Sequence, residues 1–182
     1  MKRNVSFIAL ALCAGLFSSV GNAAITGTSS LNATFKTTVI PGTCTAKILD
    51  SAGQEATEIK FNDVFKSDLV NKSRTEDFKV AFTDCSGVKT IGLTATQGAG
   101  GSCSSADFGA SNNTAFELWN GVADDGVRLD CTVQPVQKLA LNGEKTADIA
   151  MNARIVIADG KTISDVTPGE VSSQVTFVVD YQ

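Results

Sequence analysis

Cys44, Cys85, Cys103 and Cys131 are the residues of this chain best suited to chemistry, and their setting decides which chemistry that is. The 182 residues contain no histidine. That removes Ser–His–Asp and Cys–His catalysis and every histidine-ligated metal site. A thiolate-only zinc site would want C-x-x-C pairs, and none occurs. Cross-linking is the remaining use. Four cysteines in an oxidising compartment read as two disulfides, with three pairings open. Sequential pairing, Cys44 with Cys85 and Cys103 with Cys131, is favoured because neither loop then crosses the other. Separations of 41 and 28 residues would each stabilise the fold by about 3–4 kcal/mol on the chain-entropy estimate.

Other candidates are weaker. No G-x-S-x-G occurs, and "GAGGS" lacks the lysine of a phosphate-binding loop, so it reads as a hairpin loop. Asp124-Asp125, followed by Gly126, reads as a turn rather than an acid pair. Asn32, Asn71 and Asn112 stand in N-x-S/T triplets, which matter only in a glycosylating host. Trp119 and Tyr181 are single aromatics of the kind that pack in cores and on edges. Nothing here predicts an enzyme, a metal or a cofactor.

The oxidising compartment follows from the first residues. Lys2 and Arg3 precede the apolar run "VSFIALALCAGLF", and small Gly21 and Ala23 precede Ala24. This predicts a signal peptide over residues 1–23, removed with Cys13. The apolar run is short for a membrane span. Loss of Lys2 and Arg3 makes the expected mature chain more acidic than the whole-chain net charge of −4, which argues against nucleic acid and anionic membrane surfaces.

What must position the cysteines is a set of short strands. "LNATFKTTVI" alternates apolar and polar residues, and "GTCTAKIL" follows the Pro41-Gly42 turn. "EIKFNDV", "DFKVAFTDC", "KTIGLTAT", "AFELWNG", "VRLDCTV", "QKLALNG" and "DIAMNARIVIAD" carry further strand patterns. The last is "VTFVVDYQ", in which Val175, Phe177, Val179 and Tyr181 fall on one face. Turn signals separate these runs, and only "VFKSDLVNKS" offers a helical turn or two. The fold class so predicted is all-β, a sandwich or barrel.

The order of these features resembles a chaperone–usher fimbrial subunit, a pilin of the type 1 and P-fimbrial superfamily. "LNATFKTTVIPGTC" is similar to the family's N-terminal extension and first strand. "FKVAFTDC" resembles its F-x-[IV]-x-[LF]-x-x-C motif, ending on Cys85. "NARIVIADGKTISDVTPGEVSSQVTFVVDYQ" resembles its C-terminal block, with the Pro168-Gly169 turn and penultimate Tyr181. There are two departures: Thr37 stands where the family often has glycine, with Gly27 of the same parity, and the Cys103/Cys131 pair is not general to the family.

The resemblance implies an incomplete immunoglobulin-like β-sandwich, the pilin fold, completed by donor-strand exchange. It implies a donor extension over 24–38, with Ile25, Gly27, Ser29, Leu31, Ala33 and Phe35 on its apolar face, and a pilin domain over 39–182. It implies an acceptor groove bordered by Gly169, Val175, Phe177, Val179 and Tyr181, with the carboxylate of Gln182 held by a chaperone. The implied partners are a periplasmic pilus chaperone, an outer-membrane usher and neighbouring pilin subunits. The implied location, after passage through the periplasm, is an extracellular fimbrium supporting cell adhesion. The other reading is a receptor-binding, lectin-like adhesin domain.

Overall fold

The computed structural model describes residues 33–182; the expected signal peptide and donor positions Ile25, Gly27, Ser29 and Leu31 lie outside them. Residues 33–42 form no regular element, and Phe35 is 94% exposed. Residues 39–182 form one compact unit.

In chain order that unit contains β1 (Thr43–Leu49), α1 (Lys66–Asn71), β2 (Thr75–Ser86), β3 (Thr90–Gln97), β4 (Cys103–Ser104) and β5 (Asp107–Gly109). Then come β6 (Thr114–Asn120), β7 (Val127–Leu129), β8 (Gln137–Ala140), β9 (Ala147–Ile157) and β10 (Val175–Tyr181). All pairings are antiparallel. The larger sheet runs β1-β2-β9-β6-β5-β4, with β7 also on β6; the smaller runs β10-β3-β8.

The period-2 patterns explain which faces meet. Phe78, Val80 and Phe82 of β2 and Ile149, Met151 and Ala153 of β9 point into the same core as Ile91, Leu93 and Ala95 of β3. Across it, the rings of Phe78 and Phe177 lie 6.1 Å apart. A fully buried Phe82 or Leu93 contributes about 1.5–3 kcal/mol by leaving water.

Both sequential disulfides are formed. Cys44–Cys85 ties β1 to its partner β2, and Cys103–Cys131 ties β4 to the segment after β7. Beside the first, the chain enters the domain through a close approach. A Cβ on Gly42 would lie 2.5 Å from the carbonyl oxygen of Gly87, so no side chain fits there.

Three expectations are corrected. "EIKFNDV" forms no strand, although Ile59 and Phe61 are half-buried and the residues around them exposed. "LNATFKTTVI" forms none over its described residues. Conversely, the stretch that follows the "GAGGS" loop, for which no strand is predicted, contains β4 and β5, because Phe108 is fully buried and pairs with Phe116. Alternation reports which side a chain buries, whereas a strand also needs a neighbour to bond.

Candidate functional site

Among the described residues strand β10 has a neighbour on one side only, β3. The phase of that pairing fixes what the other side presents. Gln182 and Thr90 exchange both main-chain bonds, at 2.9 and 2.8 Å, and the Gly98 N–H donates to the Gln174 oxygen at 2.7 Å. In an antiparallel ladder such pairs recur at every second residue. Residues 174, 176, 178, 180 and 182 therefore direct their backbone groups to β3. Val175, Phe177, Val179 and Tyr181 direct theirs to the open edge, where no backbone partner stands among the described residues.

The same four residues turn their side chains toward the core, yet each is only half-buried. Open backbone groups and incompletely covered apolar side chains thus belong to one row of residues. An unpaired, partly apolar edge of this kind is a template for another strand.

A second unpaired stretch presses on the same core. From residue 57 to 64 no main-chain group makes a backbone–backbone bond among the described residues. Ile59 and Phe61 nevertheless pack against the core that Val175 to Tyr181 cover, and the Phe61 ring lies 5.3 Å from that of Phe116. The sequence reading gave this stretch no part in a site, although its Ile59/Phe61 alternation was visible.

Both ends of β10 are held. The Tyr181 hydroxyl donates to the Cys44 main-chain oxygen at 3.2 Å, so the beginning of β1 and the end of β10 lie together. The Gln182 oxygen also accepts the Lys89 N–H at 2.6 Å. Gly169 falls outside β10, in a turn where the Glu170 oxygen accepts Ser111 Oγ and Asn112 Nδ2, each at 3.1 Å. With φ of +149° and Asn112 Nδ2 3.0 Å from where a Cβ would be, that position suits glycine alone.

The larger sheet carries a charge network that the sequence reading did not identify. Arg154, itself buried, donates through Nε to Glu117 Oε2 at 2.6 Å and through its two terminal nitrogens to Asp124 at 2.5 and 2.7 Å. Lys72 Nζ donates to Glu117 at 3.1 Å, and Arg128 pairs with Asp107. Burial works to raise the Glu117 carboxyl, but Arg154 and Lys72 outweigh it and hold the group below the usual range. Burial dominates at Asp107 and pushes it up. Asp124 does stand in a turn, with φ of +70°, but its carboxylate closes on Arg154. All six groups are engaged with one another, as in a structural network. Among the described residues no group of three or more His, Cys, Asp or Glu is placed to hold a metal, and no helix is long and apolar enough to cross a membrane.

No protein-family model matches the chain. The fimbrial-like protein YadL of Escherichia coli (strain K12) is 31% identical to it over 93% of this chain and 92% of YadL. The chain belongs to the family of that fimbrial-like protein. Solved structures agree on the fold. The P pilus rod subunit PapA superposes with a TM-score of 0.52 at 17% identity, covering 76% of this chain and 99% of PapA. A chaperone–usher pilus structure superposes with a TM-score of 0.53 at 20% identity, covering 85% of this chain and 96% of that one. The all-β architecture of this fimbrial-like protein is accordingly the immunoglobulin-like pilin fold.

Proposed function

We propose that this fimbrial-like protein is a structural, non-enzymatic component of a chaperone–usher fimbria that polymerises by accepting a strand from a neighbour and donating its own residues 24–38 to the next. The open edge of β10 carries this reading. Its eight outward backbone groups and four half-buried side chains come from the same residues, 175, 177, 179 and 181, and residues 57–64, also without backbone–backbone bonds, press Ile59 and Phe61 on the same core. A strand seated on that edge would gain backbone bonds to β10, at about 0.5–1.5 kcal/mol net each, and would cover the half-buried row.

Chain direction supports an antiparallel seat. The chain enters the domain beside the end of β10, as the Tyr181–Cys44 contact requires. A parallel incoming strand would bring its own domain to that same end, where the accepting subunit's extension departs. An antiparallel strand brings its domain to the Val175 end, and the contact repeats head to tail. In this reading a periplasmic chaperone occupies the edge before assembly, with the Gln182 end as its handle, an outer-membrane usher directs the exchange, and the product is an extracellular fimbrium.

The decisive experiment moves residues 24–38 behind Gln182 through a short flexible linker. The expected product is a monomer that no longer polymerises and melts far above the unmodified subunit. A rearranged chain with unchanged association and melting would overturn the proposal. A lectin-like adhesin domain, complete without a donated strand, would be indifferent to the move.

A further inference from the structure

The residues on the open edge are not alike, and their order selects an alignment. Along β10 and the half-buried residues before it, the inward side chains run Val171, Ser173, Val175, Phe177, Val179, Tyr181. Along the leading segment the same-parity residues run Ser29, Leu31, Ala33, Phe35, Thr37, Val39. Residues directly opposite in an antiparallel pair place their side chains on the same face with Cβ atoms about 4.5–5.5 Å apart, so bulk must alternate between them.

We infer that the strand entering this groove is the segment Ser29–Val39 of a second copy of this chain, in the alignment that sets Phe35 opposite Val175. This rests on the strand-exchange reading and deepens it. Ala33 then faces Phe177 and Ser29 faces Tyr181, so the two aromatics meet small residues. Leu31 faces Val179, and Val39 faces Val171. Thr37, which departs from the family's usual glycine, falls opposite Ser173, whose hydroxyl already donates to the Gly109 oxygen at 2.9 Å. A hydroxyl thereby meets the polar position of the row.

Neighbouring alignments lose this match. Shifted two residues one way, Phe35 meets Phe177 and Leu31 meets Tyr181, which crowds the groove. Shifted the other way, Leu31 meets Phe177 and the Thr37 hydroxyl is set against apolar Val171 without a partner. Phe35 and Val39, 94% and 92% exposed in the described chain, are the side chains with most to gain from the seat.

Cysteine trapping on the outward face tests the alignment without touching the groove. Residues 174, 176 and 178 are exposed there, and on the open edge they occupy the closely spaced, non-hydrogen-bonded sites where cross-strand disulfides form. Thr34→Cys is combined in turn with Thr176→Cys, Val178→Cys or Gln174→Cys in the full chain. The assembled polymer is oxidised and run on a non-reducing denaturing gel. The expected result is a covalent ladder with Thr176→Cys, about tenfold stronger than with the other two, whose partners lie about 7–8 Å away. A ladder dominated by Val178→Cys or Gln174→Cys overturns the alignment and leaves strand exchange standing. Polymer without any ladder overturns the antiparallel pairing. Failure of the wild-type chain to polymerise at all removes the proposed function and the inference with it. A size swap gives an independent readout: Ala33→Leu should block polymerisation, and Phe177→Ala in the same chain should restore it. Restoration by Val179→Ala instead overturns the alignment.

Discussion

The hydroxyl of Tyr181 donates to the main-chain oxygen of Cys44 at 3.2 Å, joining the last residue of β10 to a cysteine 137 positions earlier. That contact closes one end of the open edge and sets where the chain enters the domain. Tyr181→Phe keeps the ring and removes the bond. We expect a loss of about 0.5–1.5 kcal/mol in unfolding free energy, measured by denaturant titration of the chain with residues 24–38 moved behind Gln182. A larger loss would mean that the ring itself is displaced.

Arg154 is the linchpin of the charge network. Removing it leaves Glu117, whose side chain is 4% exposed, with only Lys72 and a longer 3.8 Å approach to Arg128. Arg154→Ala should destabilise by about 3–5 kcal/mol, as expected when one member of a buried pair is deleted. Arg154→Ala combined with Glu117→Gln should recover part of that loss, because the stranded charge is gone. Melting of the two variants side by side decides the point.

The same network predicts a pH dependence. The Glu117 carboxyl is held below its ordinary value, so its stabilisation is fully present above the unfolded carboxylate range near about 4.3 and disappears as pH falls through the depressed folded value. Asp107, raised by burial, acts in the opposite sense: its ionised form is a cost at neutral pH that protonation relieves. The melting-temperature gap between wild type and Glu117→Gln should therefore be widest near neutrality and close in acid, read by circular dichroism across the acid range.

The second disulfide should be worth less than the sheets but more than any single surface contact. Cys103→Ser with Cys131→Ser is expected to cost about 2–4 kcal/mol, because the 28-residue separation is then free in the unfolded chain. The β4–β5 ladder should loosen first in amide exchange, since it comprises only two pairs, Cys103 with Phe108 and Ser104 with Asp107.

Gly42→Ala tests the entry to the domain. Its Cβ would meet the Gly87 carbonyl oxygen at 2.5 Å and the carbonyl carbon at 2.7 Å, both backbone atoms without a flexible way out. The expected loss is about 1–3 kcal/mol, with slower formation of the adjacent Cys44–Cys85 bond on refolding.

Several features were legible in the chain before any coordinates. The absence of histidine and of C-x-x-C pairs left cross-linking as the use of the cysteines, and the period-2 runs located β1, β2, β3, β6, β9 and β10. Those signals are local: alternation within a few residues states which side is apolar. The short strands β4 and β5 were not legible, because one buried Phe108 among glycines and serines carries no period. Nor was the Arg154–Glu117–Asp124 network, whose members are separated by 37 and 30 positions and meet only through the β6–β9 pairing and the turn after β6.

The fate of two apolar alternations shows where sequence stops. "EIKFNDV" and "VTFVVDYQ" carry the same pattern, yet, among the described residues, 57–64 make no backbone ladder and β10 makes one on a single side. Side-chain periodicity records burial, a property of each residue in its place. A missing neighbour is a property of sheet order, which the chain acquires only when β10 settles against β3 and leaves its other edge open.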